Sequence, residues 1–298
     1  MRSPLLILII AFLSILSSKH SMGAIEIQFP GEAGFFIGKP MIYVIKATAG
    51  DPNVVGSEGI YQFGPNKVTL DGVEYYDSAF SNVSSSSHFY LGIDSAKALV
   101  TQKGITFLET EISITPAIVS LKYPLISGKS WDDKTKLVAK NIEIPNLAKL
   151  PELIIDNVNV QTTVTSETLI IPSGTFDCLL VKTTFNGLLK ISGLSLPATL
   201  IQRTWMSEDN VPIKRKFEFI TMNMTLYDME LSEPNPDPYD LNWDGVANIL
   251  DLMIITKYYG TQMKSTRIPN PDIDGNGVVD MKDLNLAISH FGEIYKKK

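Results

Sequence analysis

The chain has 298 residues, a net charge of −6 and a pI near 5.2, a balance that argues against nucleic acid as a partner. A single cysteine excludes an internal disulfide, and three histidines leave too few nitrogen and sulfur ligands for a zinc site in the main body. With 44% hydrophobic residues the chain can bury a sizeable core.

The N-terminus has the parts of a secretory signal, expected over residues 1–24. Arg2 supplies the positive charge, Leu5 to Leu16 are apolar apart from Ser14, and Ser21-Met22-Gly23 offers a small-x-small cleavage site. The apolar run is about 12 residues, short of the ~20 that span a bilayer. No cysteine follows it, which excludes a bacterial lipoprotein anchor. Secretion to the medium or the cell surface is therefore expected, with an uncleaved anchor as the alternative because the cleavage region is not clean.

Residues 25–231 are expected to form a β-rich body. Segments of alternating or high-β-propensity character recur at Ile25–Phe29, Met41–Ala47, Lys67–Leu70, Ser87–Leu91, Ile105–Ile114, Thr168–Ile171, Leu179–Phe185, Thr199–Met206, Ile213–Ile220 and Met222–Met229. Turn chemistry separates them at Asp71-Gly72, Pro172-Ser173-Gly174, Asn186-Gly187 and Asp209-Asn210. Helix and strand signals compete over Leu137–Asn159, where Pro145 and Pro151 suggest a loop with short pieces. An antiparallel sandwich or a curved half-barrel accommodates this number of strands. Cys178, between Phe176 and Leu180 in an alternating stretch, reads as a small buried residue.

Two fragments of the body resemble a class of secreted β-proteins related to the lipoprotein-carrier half-barrels: Tyr123-Pro124-Leu125-Ile126-Ser127-Gly128-Lys129-Ser130-Trp131, and Ile171-Pro172-Ser173-Gly174-Thr175-Phe176-Asp177-Cys178. The resemblance implies a sheet curved around a helix or an apolar cavity, and with it a possible apolar ligand. Turn chemistry and an anchoring tryptophan explain the same residues without any family.

Catalytic signals are weak. The carboxylates Glu109, Glu111, Glu152, Glu167 and Asp177 belong to no motif that pairs two of them for glycoside hydrolysis. A Ser-His-Asp triad would have to rest on His88, after the Ser84–Ser87 run; a rim histidine explains it more simply. A non-catalytic body is expected, with a polysaccharide-directed hydrolase as the alternative.

The segment 232–239 places prolines at 234, 236 and 238, and reads as a stiff linker. Beyond it, in 240–298, an acidic loop is written twice. Asp240, Asn242, Asp244, Asn248 and Asp251 fall at loop positions 1, 3, 5, 9 and 12, as do Asp272, Asp274, Asn276, Asp280 and Asp283. Gly245 and Gly277 take position 6; Val246 and Val278 take position 7, where a backbone carbonyl serves. This is the oxygen-ligand spacing of an EF-hand calcium loop. Each copy runs into an apolar helical stretch that stops at Tyr259-Gly260 or Phe291-Gly292.

A loop with one exiting helix, duplicated, with aspartate rather than glutamate at position 12, resembles a dockerin module over roughly Asn235 to Glu293. The resemblance implies a small all-α module that holds two Ca2+ ions through the twelve residues just named. It also implies antiparallel packing of the two units, folding that requires calcium, and docking onto a cohesin domain of another protein. Positions 10 and 11 depart from the Ser-Thr pair of cellulosomal dockerins: they are Ile249-Leu250 and Met281-Lys282. The two copies thus differ where a cohesin would touch, which favours a single docking helix.

Overall fold

The computed structural model describes residues 25–31, 35, 37, 39–49, 52–82, 85–107, 110–142, 150–191, 194–233, 237–242, 245–263 and 268–295. The expected leader, residues 1–24, lies outside them. Among the described residues no helix is long and apolar enough to cross a membrane.

The strands, in chain order, are β1 (Glu26–Ile27), β2 (Pro40–Thr48), β3 (Glu58–Gln62), β4 (Lys67–Leu70), β5 (Val73–Ser81), β6 (Ser86–Asp94), β7 (Leu99–Phe107) and β8 (Thr110–Lys122). They continue with β9 (Leu125–Ile126), β10 (Ser130–Ile142), β11 (Leu150–Ile171), β12 (Gly174–Ile191), β13 (Leu194–Ser207), β14 (Pro212–Phe219) and β15 (Met224–Glu233). Two helices follow, Ile249–Lys257 and Met281–Ser289.

The expectation of a mainly β body with a small helical module holds, but the sheet is neither a sandwich nor a half-barrel. It closes. From β15 the order runs back through β14, β13, β12, β11 and β10 to β8, β7, β6 and β5, while β2 lies on the other side of β15. The short β3 pairs with both β2 and β5, joining the two ends of the sheet into an antiparallel ring. A glycine permits this closure. A Cβ at Gly59 would stand 2.3 Å from the ring of Phe80 on β5, so only hydrogen lets the strands approach. β4 adds to β5 beside the ring, and β1 pairs with β9 as a separate two-residue ribbon.

Three local expectations are corrected. In the stretch Leu137–Asn159, the described residues end β10 (to Ile142) and open β11 (from Leu150) rather than forming loop, while 143–149, with Pro145, lie outside the described residues. Pro151 is tolerated because it is only the second residue of β11, where a missing N–H matters little. The segment Ile105–Ile114 is a hairpin rather than one strand, since β7 ends at Phe107 and β8 begins at Thr110. Asn186-Gly187 is no turn. It lies inside β12 opposite a bulge of β11, where a Cβ on Gly187 would collide with Ile155 and Val158. Asp71-Gly72, by contrast, takes positive φ at both residues and turns β4 into β5, as such pairs do.

Alternation along each strand sorts the side chains. On β14, Ile213, Arg215, Phe217 and Phe219 point inward and are buried. The outward row carries paired charges: across strands, Lys214 Nζ lies 2.6 Å from Glu230 Oε1 and Arg203 pairs with Glu218, and along β14 Lys216 Nζ lies 2.9 Å from Glu218 Oε1. Aromatic rings fill much of the interior, with Tyr43, Tyr61, Phe89, Phe185, Phe217 and Tyr227 in edge and tilted contact. Cys178 is buried in that wall. Burial, helped by Glu167 and Asp177, pushes its thiol up to about 12, so it stays protonated.

Candidate functional site

The acidic repeat folds as two equivalent loop–helix units. In the first, Asp251 Oδ2 accepts the backbone N–H of Asn248 at 2.7 Å, and the Asn248 side chain caps the helix in return. In the second, Asp283 and Asp280 make the same reciprocal contacts, at 2.8 Å. Loop positions 9 and 12 thus form a capping box that starts each helix. The remaining contacts also repeat. Asp251 Oδ1 accepts from Asn242 N–H at 2.9 Å and Asp283 Oδ1 from Asp274 N–H at 3.0 Å. Asp240 and Asp272 each accept the N–H of their loop glycine, Gly245 or Gly277, at 2.8 Å. Both glycines take positive φ, as the sharp turn requires.

Two isolated β-bridges tie the units together reciprocally. Val246 of the first loop bridges Ile294 beyond the second helix, and Val278 of the second loop bridges Gln262 beyond the first. Their shared core is small: Leu241, Ile255, Val279 and Ala287 are buried, with Leu252, Tyr258 and Leu284 against them.

Four carboxylates, Asp240, Asp251, Asp272 and Asp283, are buried in this module. In the second loop, carboxylate oxygens of Asp272, Asp274 and Asp283 lie within 4.8 Å of one another. Asp244 of the first loop lies outside the described residues. Like charges are not gathered and buried without a counter-charge, and a donor set made only of oxygens suits a hard cation such as calcium.

Residues 238–291 match the profile of the dockerin type I domain. This stretch is a dockerin domain. Dockerins bind calcium and dock onto cohesins, as the sequence resemblance implied. No sequence among curated proteins matches the chain. Among solved structures, a Bacteroides fragilis protein described as exported and of YmcC-like fold aligns over 71% of this chain and 99% of its own, at 10% identity and a TM-score of 0.36. A Parabacteroides distasonis protein described as a lipoprotein aligns over 67% and 97%, at 15% identity and a TM-score of 0.26.

The dockerin touches the barrel. Ile268, in the connection between the two units, is buried with the barrel core, and its N–H donates to Asp209 Oδ2 at 3.0 Å in the turn after β13.

The carboxylates considered for hydrolysis are scattered. Glu111 and Glu152 are exposed, and Glu109 lies outside the described residues. Glu167 accepts from Trp205 Nε1 at 2.5 Å, and Asp177 accepts from Thr168. His88 has a partner on each ring nitrogen, with Asp77 Oδ1 2.7 Å from Nδ1 and Ser86 Oγ 3.4 Å from Nε2. The trio resembles a triad, yet it lies on the outward face of β5 and β6, where backbone N–H groups are spent on the sheet ladder. An oxyanion would find no pair of free donors on such a wall.

Two partly open cavities lie in the barrel among the described residues. One, of about 110 Å3, is lined by apolar side chains including Ile112, Leu137, Leu189, Leu200, Phe217 and Met224. The other, of about 60 Å3, is lined by Phe35, Tyr61, Thr183, Gln202, Thr204 and Arg215 among others. Neither lining contains an acid among the described residues. Arg215 was legible only through parity: it occupies an inward position between Ile213 and Phe217, where a charge is out of place.

Proposed function

We propose that the protein is an extracellular or surface-associated, non-catalytic component whose calcium-loaded dockerin fixes the β-barrel to a cohesin-bearing partner. The observation that carries this reading is the pair of equivalent loops with buried carboxylates at positions 1 and 12. In the proposal, two calcium ions sit one per loop, held by Asp240, Asn242, Asp244, the Val246 carbonyl, Asn248 and Asp251, and by Asp272, Asp274, Asn276, the Val278 carbonyl, Asp280 and Asp283. The ions supply the positive charge that lets four buried carboxylates remain ionised. The protein's own part is to start each helix from the loop through the capping box.

The docking face is assigned to the first helix. Ile249, Leu250 and Met253 are all exposed there, whereas the matching positions of the second helix are Met281, Lys282 and Asn285. An uninterrupted apolar patch at the start of one helix supports single-mode docking with an apolar partner surface.

The test is capture from the source organism's envelope and medium, with the full chain as bait in calcium and elution by chelator. A cohesin-bearing protein retained with calcium, released by chelator and lost with Leu250→Lys is the expected result. Retention that survives chelation, or that ignores the substitution, would sink the assignment.

A second reading, that the barrel carries an apolar ligand, is favoured by the 110 Å3 apolar cavity. Its almost wholly apolar lining offers an apolar group a place out of water. Stoichiometric uptake of a hydrophobic fluorescent probe would support it, and its absence would remove it.

A further inference from the structure

The smaller cavity has a different chemistry. Arg215 is 5% exposed, and no carboxylate pairs with it among the described residues. Its guanidinium lies over the rings of Phe89, at 4.5 Å, and Tyr61, at 5.0 Å. Ring faces attract a cation but accept few of its N–H groups, and Nε and Nη1 have no hydrogen-bond partner. Other polar atoms nearby are equally unmatched. Gln202 Oε1 and the Tyr227 hydroxyl are buried and unpartnered. Thr204 stands directly opposite Arg215 in the β13–β14 register, and Gln202 lies two positions along the same inward row.

A buried cation with neither counter-ion nor full hydrogen bonding is a costly arrangement in a structural core. Glutamine could have filled the space with no charge to desolvate, and leucine with no polar group at all. The fixed planar donors of arginine match the two oxygens of a carboxylate, and the hydroxyls around it can complete that shell.

We propose that the lumen around Arg215 is a binding site for a carboxylate, with Arg215 supplying charge and donors and the hydroxyls of Thr204 and Tyr227 completing the polar contacts. The carboxylate can belong to a small free acid or to the head of a fatty acid. The same inward rows of β13 and β14 continue from Gln202 and Arg215 to Leu200 and Phe217, which line the apolar cavity. A tail would therefore meet an apolar path. The site is separate from the dockerin and does not depend on how that module docks.

The test uses the full chain in calcium, exchanged into chloride buffer, then titrated calorimetrically and melted with sodium acetate or sodium octanoate against matched sodium chloride. At least one carboxylate should bind and raise the melting temperature, and Arg215→Met should weaken that binding about tenfold to a hundredfold. Binding of both acids identifies a small free carboxylate as sufficient; binding of octanoate alone identifies an amphiphile's head group. Thr204→Val, which keeps shape and charge, should weaken binding less and serves if Arg215→Met does not fold. If neither acid binds better than chloride, the cavity holds only water and the proposal fails. It fails equally if Arg215→Met binds as tightly as the parent.

Discussion

Tyr239 and His290 lie ring on ring, with centroids 3.6 Å apart and planes 7° from parallel. The first residue comes just before the first calcium loop and the second just after the second helix, so the stack ties the two ends of the dockerin together. Stacked rings contribute about 0.5–1.5 kcal/mol beyond their buried area. Tyr239→Ala should lower the stability of the calcium-loaded module by at least about that amount, read from helical ellipticity during a melt in excess calcium. An unchanged melt would mean that the paired β-bridges alone hold the ends.

Calcium removal should separate the two parts of the molecule. The module's core is too small to stand alone, and capping boxes built from ligand residues cannot persist around unpaired buried carboxylates. Chelator should abolish the helical signal while the barrel's near-ultraviolet spectrum survives. The double variant Asp251→Ala, Asp283→Ala should behave as chelated protein even in millimolar calcium. Full helicity in that variant would refute the ligand assignment.

Barrel closure should be sensitive at one glycine. Gly59→Ala must push a methyl group against Phe80, and overpacking of this kind costs about 1–3 kcal/mol. Urea denaturation in excess calcium measures it directly. A change within about 0.5 kcal/mol would show that β3 and β5 separate without consequence.

Asp228 predicts a pH dependence. Burial raises its carboxyl above the usual range, with Glu230 and Glu218 adding to the shift and Lys214 and Lys216 offsetting part of it. A raised folded-state pKa means that the native chain binds this proton more tightly than the unfolded chain. Its contribution to stability is therefore present in acid and lost as pH rises through the raised value. Asp228→Asn should melt higher than the parent at neutral pH, and the difference should shrink as the pH falls toward the ordinary aspartate range. An equal or lower melting temperature at neutral pH would show that the lysine pairs outweigh burial.

What could be read from sequence follows from how local each feature is. A calcium loop places all its ligands within twelve residues, so spacing alone showed both copies and their helices. Closure of the sheet joins Ile60 to Ser81 across β4 and Ile42 to Glu233 across most of the body, and no alternation pattern says whether two sheet ends will meet. The same distance hid the surroundings of Arg215, which are assembled from β3, β6, β13 and β15. Leu137–Asn159 misled for another reason. Its prolines mark a strand start and a stretch outside the described residues, not an interruption of either long strand.

Ile268 gives the calcium module a mechanical role. Through the proline-spaced linker alone, the dockerin would have a single attachment to the barrel. With Ile268 seated in the barrel and its N–H held by Asp209, a second anchorage makes the joint a bracket that sets which way the barrel faces. If the loops order only with calcium, emptying them should also loosen this second anchorage, because Ile268 is held between the two loop–helix units.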